Sequence, residues 1–208
     1  EDLMKEIIRQ QNERRKSEMD ALQSQINPHF LYNTLDTIVW LAEAGQKEQV
    51  VSMVQTLSDF FRASLNSGKD IVSLEGECRH ITSYLQIQQV RYQDILTYDV
   101  DIPEEIANCK IPKITLQPLV ENALYHGIKN KRGKGRIVVT GRREKDKCVI
   151  RVEDNGIGMT KERLNQVRGG LTTKIEDSND FYGLYNVNER IRLKFGEEYG
   201  LSDRKSVV

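Results

Sequence analysis

The sequence predicts a multi-domain chain in which an all-α region is followed by an α+β domain. Apolar residues recur at helical spacing up to about residue 94. From Leu96 onward, short segments that alternate apolar and polar residues appear between further helical segments. Strands confined to the second half of the chain are typical of an α+β domain joined to a helical one. The chain length of 208 residues is enough for one or two domains.

The composition indicates long solvated helices joined to a compact domain. Hydrophobic residues make up 38% of the chain and charged residues 30%. Because 31 basic and 31 acidic residues cancel, no global field favours nucleic acid as a partner. Cys78, Cys109 and Cys148 match no metal-binding spacing and no disulfide framework, which favours a reducing compartment. No apolar run approaches the ~20 residues needed to span a bilayer.

Residues 1–20 are predicted to form a signalling helix. The first 26 residues are rich in Glu, Lys, Arg and Gln and contain neither Gly nor Pro. Their apolar positions show an interrupted 3/4 spacing, so a short coiled coil and a solvated helical leader are equally good interpretations. The chain begins at Glu1 without a methionine, so we expect a fragment or a processed form.

Residues 21–94 are predicted to form a helical domain. The first helix contains Pro28 and His29 and stops at Gly45. A second helix follows it, and a third helix begins at the N-cap Ser73. A proline inside a helix costs ~3 kcal/mol. Histidine is the side chain best suited to exchange a proton or a transferable group near neutral pH. We therefore expect the local backbone shape to serve His29.

Several other side chains of the helical region have simpler interpretations. Trp40, Phe60 and Tyr92 are expected in the core, and His80 is expected to be a surface or packing residue. In the second half, strands are predicted over residues 96–102, 136–141 and 147–152, and helices over residues 116–125, 161–168 and 186–195.

Three segments of the second half combine polar residues and glycines. Glu121 and Asn122 lie on an otherwise apolar helix, where they are costly without partners. Asp154 follows a strand and precedes Gly156 and Gly158, which allow a close approach of backbone to a ligand. Residues 169–186 then form a long loop that closes on a helix start and is suited to covering phosphates.

The order of these segments resembles the ATP-binding domain shared by sensor histidine kinases, gyrase and mismatch-repair ATPases. No G-x-x-x-x-G-K-[ST] phosphate loop is present. The resemblance implies a two-layer α+β sandwich over residues 95–208, with ATP and Mg²⁺ as cofactors. It implies that Asn122 holds Mg²⁺, that Glu121 positions a nucleophile or water, and that Asp154 binds the adenine amine. The implied pocket wall consists of Gly156 and Gly158, and the end of the lid consists of Gly183, Leu184 and Asn186.

The segment of residues 23–35 resembles the phosphoacceptor region of the LytS/YesM-type sensor histidine kinases. It reads Gln-x-x-Ile-Asn-Pro-His-Phe-Leu-Tyr-Asn-x-Leu. The resemblance covers roughly residues 20–200 and implies transfer of the ATP γ-phosphoryl group to His29, then to an aspartate of a response regulator. It also implies a homodimer and a cytoplasmic region of a bacterial plasma-membrane sensor, anchored through a segment N-terminal to this chain.

Two positions depart from the family pattern near His29 and in the lid. Phe30 follows the histidine at the position where many histidine kinases carry an acidic residue. We therefore expect Asn33, which lies one turn beyond His29, to orient the imidazole or a hydrolytic water. An equally good interpretation of Asn33 is a surface amide of the helix without such a role. Phe181 stands where the lid usually has a second glycine.

The C-terminal end is a third departure. Residues 202–208 are too short for the final hairpin, so we expect the last strands to be missing.

Two alternative functions stay open at this point. The same ATP fold also serves ATP-driven conformational machines that form no phosphohistidine. A catalytically inactive dimeric scaffold would relay a signal by binding alone. Acid-labile label from γ-labelled ATP that depends on His29 separates the kinase from the machine, and failure to bind a nucleotide would favour the scaffold.

Overall fold

The computed structural model describes residues 28–64, 70–93, 95–172 and 182–202, and the chain divides into two compact units between Val54 and Gln55. In the first unit, helix α1 spans Pro28–Glu43. Gly45 follows it with a φ of +72°, a conformation that favours glycine and explains why the helix ends where the sequence predicts. Helix α2 spans Lys47–Ser64.

The second unit alternates short strands with helices. Its elements after α2 are β1 (Ile71–Ser73), α3 (Leu74–Arg91), β2 (Leu96–Asp101), α4 (Glu104–Ala107), β3 (Lys110–Pro112), α5 (Leu116–Asn122), a π-helix (Ala123–Ile128), β4 (Gly135–Glu144), β5 (Lys147–Asp154), α6 (Lys161–Thr172) and α7 (Tyr182–Phe195). The predicted order of an all-α region followed by an α+β domain is confirmed.

The main sheet has the order β2-β4-β5, in which β2 runs parallel to β4 and β4 pairs antiparallel with β5. Strands β1 and β3 form a separate antiparallel pair. Helix α3 contacts both β2 and α5. The fully buried side chains of the core come from these elements and from the π-helix: Ile81, Tyr84, Leu85, Leu96, Leu116, Leu124 and Ile137. The core thus fixes α5 relative to the sheet.

Helix α3 begins where the sequence predicts. The Ser73 hydroxyl accepts a hydrogen bond from the Gly76 N–H at 3.2 Å, which satisfies one of the unpaired N–H groups at the helix start. Glu75 and Glu77 lie in the first turn, at the positive end of the helix dipole.

Three element boundaries differ from the prediction in ways that concern the candidate site. Helix α6, predicted over residues 161–168, runs to Thr172 and includes the start of the loop predicted over residues 169–186. The α-helix predicted over residues 116–125 ends at Asn122 and continues as the π-helix. Helix α7 begins at Tyr182 rather than at residue 186, so Gly183 and Leu184 lie within a helix and not at the end of a loop. Periodicity over a short segment does not distinguish a π-helix from an α-helix, because both place apolar residues about one turn apart.

One side chain is not where the sequence placed it: Trp40 was expected in the core but is 56% exposed on α1. His80, expected to be a surface or packing residue, is a packing residue, since it is buried at 3% exposure, and it also has polar partners that are described below. An apolar stripe on one helix does not say whether another element covers it.

The expectation that the cysteines form no disulfide is wrong, because a disulfide joins Cys109 to Cys148. These residues are 39 positions apart, so the spacing carried no signal. Helix α4 packs on β4, and Cys148 pairs with Arg143 of β4, so tertiary contacts bring the two sulfurs together. The argument for a reducing compartment loses its support. Cys78 is a buried free thiol.

Several predictions fall outside the described residues. They are the signalling helix over residues 1–20, the part of the first predicted helix that precedes Pro28, the lid position Phe181, and the end of the chain after Ser202. Within the described ranges, no helix combines the length and the hydropathy needed to cross a membrane.

Candidate active site

His29 and Asn33 lie one helical turn apart on α1. The Asn33 Nδ2 atom is 2.8 Å from His29 Nδ1, because a spacing of four residues brings two side chains to the same helix face. A ring nitrogen engaged in a hydrogen bond does not offer its lone pair to an electrophile. The contact therefore bears on which nitrogen of His29 acts as a nucleophile.

The start of α5 is held by a buried carboxylate. Glu77 of α3 accepts hydrogen bonds from the backbone N–H groups of Ile114, Thr115 and Leu116 at 2.7, 2.9 and 3.1 Å. These donors stand at the helix N-terminus, where N–H groups lack intrahelical partners and the dipole favours negative charge. Glu77 is only 2% exposed, and its partners offset the cost of burying a charge.

The loop before α5 is also held from α7. Arg190 donates from Nη1 to the Lys113 carbonyl at 2.8 Å and from Nη2 to the Ile114 carbonyl at 2.6 Å. Ile114 has a φ of +56°, which is unfavourable for a β-branched residue. Glu77 and Arg190 thus hold a strained turn from two sides and set the position of the helix that carries Glu121 and Asn122.

Glu121 is half-buried on α5 and has a polar partner on its own helix. Gln117 Nε2 donates to Glu121 Oε1 at 2.9 Å. Burial raises the pKa of the Glu121 carboxyl above its usual range, and the Gln117 hydrogen bond opposes that shift. Asn122 follows directly and is also half-buried. This geometry explains how a polar pair is tolerated on an apolar helix.

The π-helix brings Gly127 against the end of β5. A methyl group on Gly127 would lie 2.5 Å from Asp154 Oδ1, and one on Gly156 would overlap the Gly127 backbone. The Asp154 carboxylate accepts a hydrogen bond from the Gly156 N–H at 2.8 Å, and Ile157 N–H donates to the Gly127 carbonyl at 3.1 Å. Asp154 thus projects from a tight junction of two backbones, in which a side chain at position 156 would meet backbone and one at position 127 would displace the Asp154 carboxylate.

Asn155 ties this junction to the sheet. Its side-chain Oδ1 accepts a hydrogen bond from the Arg136 N–H at 2.7 Å, and its own N–H donates to the Arg136 carbonyl at 3.2 Å. Lys131 Nζ donates to the Asn155 carbonyl at 2.7 Å. Both sides of the segment from Asp154 onward are therefore fixed, while Asp154 itself remains exposed.

The remaining predicted residues lie on either side of this junction. Gly158 has a φ of +70°, which explains a glycine at that turn. Leu184 is buried and packs in a cluster with Val167 and the partly buried Leu119 of α5. Gly183 is exposed and lies near Pro118, with room for a methyl group at 3.7 Å, so the structure gives no steric reason for a glycine there.

The structure brings together two of the predicted groups within the second unit. Glu121 and Asn122 end α5, and the π-helix that follows them joins the Asp154 junction. Asn186 is half-buried on α7, four residues before Arg190. Sequence reasoning missed four supporting residues: Glu77, Gln117, Gly127 and Asn155. Gln117 had a usable signal, since it precedes Glu121 by four positions, the spacing at which helical side chains meet.

Comparisons with known proteins agree with this arrangement. The family described as histidine kinase matches residues 17–96, which include His29. The family described as histidine kinase-, DNA gyrase B- and HSP90-like ATPase matches residues 112–206, which include the α5 and β5 residues above. The sensor histidine kinase YesM of Bacillus subtilis (strain 168) is 41% identical over 201 residues, which are 96% of this chain and 33% of YesM. The chain belongs to the sensor histidine kinases of the LytS/YesM type.

Two further proteins are similar to this chain over most of its length. The YwpD protein of Bacillus subtilis (strain 168) is 37% identical over 194 residues, which are 92% of this chain and 67% of YwpD. The solved structure of a bacterial phosphotransferase aligns with 82% of this chain and with 86% of its own chain, at 13% sequence identity and a TM-score of 0.45. The chain spans about a third of the length of YesM.

The predicted fold class and family of the histidine kinase are confirmed. A helical region precedes a mixed α/β domain of the ATPase family that binds ATP. Among the described residues, no cluster of three or more His, Cys, Asp or Glu side chains could hold a metal ion. Carboxamide and carboxylate oxygens at the end of α5 are nevertheless ligands that Mg²⁺ accepts when phosphates complete its shell.

Proposed function

We propose that this chain is the catalytic region of a two-component sensor histidine kinase. A nitrogen lone pair of His29 attacks the γ-phosphorus of ATP, a P–N bond forms, the bond between the γ-phosphorus and the bridging oxygen breaks, and ADP leaves. The phosphoryl group then passes to a carboxylate of a response regulator, where a P–O bond replaces the P–N bond. The occurrence of both family matches on one chain, in this order, carries the proposal.

Asp154 is proposed to accept a hydrogen bond from the exocyclic amine of adenine. Its carboxylate is exposed and is held in place by the Gly156 N–H. Gly156 and Gly158 form the wall beside it, because one allows the Gly127 backbone to approach and the other takes a positive φ. Gly183, Leu184 and Asn186 are proposed to flank the phosphates from the start of α7.

Asn122 is proposed to be the residue that would hold Mg²⁺. The side-chain carbonyl of an asparagine is a hard oxygen ligand, and Mg²⁺ commonly takes one or two protein ligands while phosphates and water supply the rest. The half-buried position of Asn122 at the end of α5, next to the Glu121 carboxylate, fits such a site. Mg²⁺ would neutralise charge on the transferring phosphoryl group.

Glu121 and Asn33 are proposed to position the reacting groups. Glu121 lies beside the proposed Mg²⁺ ligand, and its carboxylate can accept the proton or hydrogen bond of an incoming imidazole or water. Asn33 contacts His29 directly and orients the ring. Phosphoryl transfer depends on alignment and charge neutralisation more than on covalent help from the protein, so both roles fit the reaction.

A homodimer is proposed from the exposed apolar face of α1. Tyr32, Leu35 and Val39 recur at helical spacing and are 67%, 44% and 56% exposed, and Trp40 lies beside them. Large apolar side chains in one contiguous patch mark an interaction surface. A second copy of the same helix can cover them in a helical bundle.

The wider organisation is likewise a proposal. We propose a signalling helix over residues 1–20, a dimerisation and phosphoacceptor domain over residues 21–94 and an ATP-binding domain over residues 95–208. The parent is proposed to be a bacterial plasma-membrane sensor with this region in the cytoplasm. Its partner is the receiver domain of a response regulator.

Incubation with γ-labelled ATP and Mg²⁺ tests the reaction. We expect acid-labile, base-stable label on the chain, lost in His29→Gln and in Asn122→Ala but retained in Asn130→Ala, a matched exposed asparagine. ATP hydrolysis that persists in His29→Gln, with no label on the wild type, would indicate an ATP-driven conformational machine. Failure of the folded chain to bind ATP would indicate a scaffold.

A further inference from the structure

Four polar side chains form a chain of contacts that ends at Glu121. Ser64, the last residue of α2, has its hydroxyl 3.4 Å from Nδ1 of His80. His80 Nε2 lies 2.7 Å from Gln117 Oε1, and Gln117 Nε2 lies 2.9 Å from Glu121 Oε1. Ser64, His80 and Gln117 are all buried, so water does not compete for these hydrogen bonds.

Glu121 determines the direction of the hydrogen bonds. A carboxylate only accepts, so the Gln117 amide nitrogen faces Glu121 and the amide oxygen faces His80. His80 must then carry its proton on Nε2 to donate to that oxygen. Burial lowers the pKa of His80, which favours the neutral imidazole with its proton on Nε2. The Ser64 hydroxyl donates its proton to the Phe60 carbonyl at 2.9 Å, so its 3.4 Å contact with Nδ1 is not a hydrogen bond donated to the ring.

We propose that His80 is a positioning residue, which fixes the Gln117 amide and through it the orientation of the Glu121 carboxylate for phosphoryl transfer. This inference rests on the proposed role of Glu121 and deepens it. Without the donor at His80, Gln117 Oε1 is left buried and unpaired, and the amide rotates to find another donor. Glu121 then loses the hydrogen bond that fixes its rotamer.

Packing alone predicts a different outcome for His80. Its ring also stacks on Phe60, with centroids 4.6 Å apart and planes at 19°. A phenylalanine at position 80 preserves this stacking and removes a buried polar group. The unpaired Gln117 oxygen lowers stability in either case, but if His80 served only the core, His80→Phe would leave kcat unchanged.

The test compares His80→Phe with His80→Gln in the full chain. A glutamine places an amide N–H close to the position of the imidazole Nε2–H, so it can restore the donor. We expect His80→Phe to lower kcat of autophosphorylation by about tenfold while KM for ATP changes by less than about twofold. His80→Gln should recover most of kcat. Arg79→Gln, an exposed neighbour on α3, is the matched control and should leave both constants unchanged.

Two further variants separate the possible failures. Gln117→Leu removes the amide that contacts both His80 and Glu121. If His80→Phe does not fold, Gln117→Leu should still show the loss of kcat. Wild-type kcat in His80→Phe or in Gln117→Leu, together with a large loss in Glu121→Gln, would overturn the role of His80 and leave the role of Glu121 intact. Wild-type kcat in Glu121→Gln would overturn the role proposed for Glu121 and the inference with it.

Discussion

Asn33 Nδ2 lies 2.8 Å from His29 Nδ1, so the amide and the imidazole contact each other directly on α1. The two possible orientations of the amide have opposite consequences for the ring. An amide N–H facing Nδ1 uses the Nδ1 lone pair, whereas an amide oxygen facing Nδ1 places the ring proton there and leaves Nε2 as the nucleophile. In the proposed reaction, the orientation of the Asn33 amide therefore decides which ring nitrogen of His29 carries the lone pair.

The first prediction concerns this selection. Asn33→Asp offers only acceptors, holds the proton on Nδ1 and should keep Nε2 phosphorylation active. Asn33→Leu removes the hydrogen bond and should slow autophosphorylation by about fivefold to tenfold. Rates with labelled ATP, and the phosphohistidine isomer identified by ³¹P NMR, measure both effects. Glu43→Gln at the far end of α1 serves as the control. Equal rates in Asn33→Leu and the wild type would contradict the role of Asn33.

The second prediction concerns the anchor of α5. Glu77→Gln should destabilise the chain by about 2–3 kcal/mol, because a charge-assisted acceptor of three backbone N–H groups is replaced by a neutral amide that also carries hydrogens. Urea unfolding measures the change. The control is Glu75→Gln on the same helix, whose exposed pairing with Arg79 at 3.9 Å is worth less than about 0.5 kcal/mol. A similar loss in both variants would show that the Glu77 contacts are not the cause.

The third prediction concerns the junction of the π-helix with β5. Gly156→Ala places a methyl group against the Gly127 backbone, so it should separate the two segments at a cost of about 1–3 kcal/mol and weaken ATP binding. Nucleotide titration followed by fluorescence measures the affinity. Ser83→Ala on α3 is the control, since its hydroxyl donates to the Arg79 carbonyl of its own helix. Unchanged affinity in Gly156→Ala would refute the assignment of this junction to the nucleotide site.

The fourth prediction concerns the pH dependence of stability. Burial raises the pKa of Glu121 above its usual value of 4.5, so the folded chain binds this proton more tightly than the unfolded chain. Stability then falls as pH rises from the unfolded pKa through the folded pKa. Glu121→Gln removes this loss and should have a higher Tm than the wild type near neutral pH, with the difference shrinking as pH falls below the usual glutamate value. Calorimetry over a pH series measures it, and a Tm difference independent of pH would contradict the shift.

The sequence allowed the order of elements and the family to be predicted because both depend on local patterns. Helical spacing, the N-cap at Ser73 and the terminating Gly45 act over one or two turns, and the structure places them as expected. The residues around His29 and Asp154 were found for the same reason, since each motif lies within one short segment.

The supporting contacts could not be predicted in this way. Glu77 reaches α5 across 37 to 39 positions of sequence, and His80 reaches Gln117 across 37. Sequence periodicity cannot predict such a pair, because the two residues meet only when their helices pack against each other. The same holds for the disulfide between Cys109 and Cys148.

The sequence by itself therefore determined the kind of protein and supplied the residues that are proposed to touch ATP and phosphate. Only the tertiary structure decided what holds those residues in place. The π-helix that brings Gly127 against Asp154 and the buried chain from Ser64 to Glu121 depend on contacts between distant segments. Such contacts form when burial removes water from polar groups and obliges them to pair with one another.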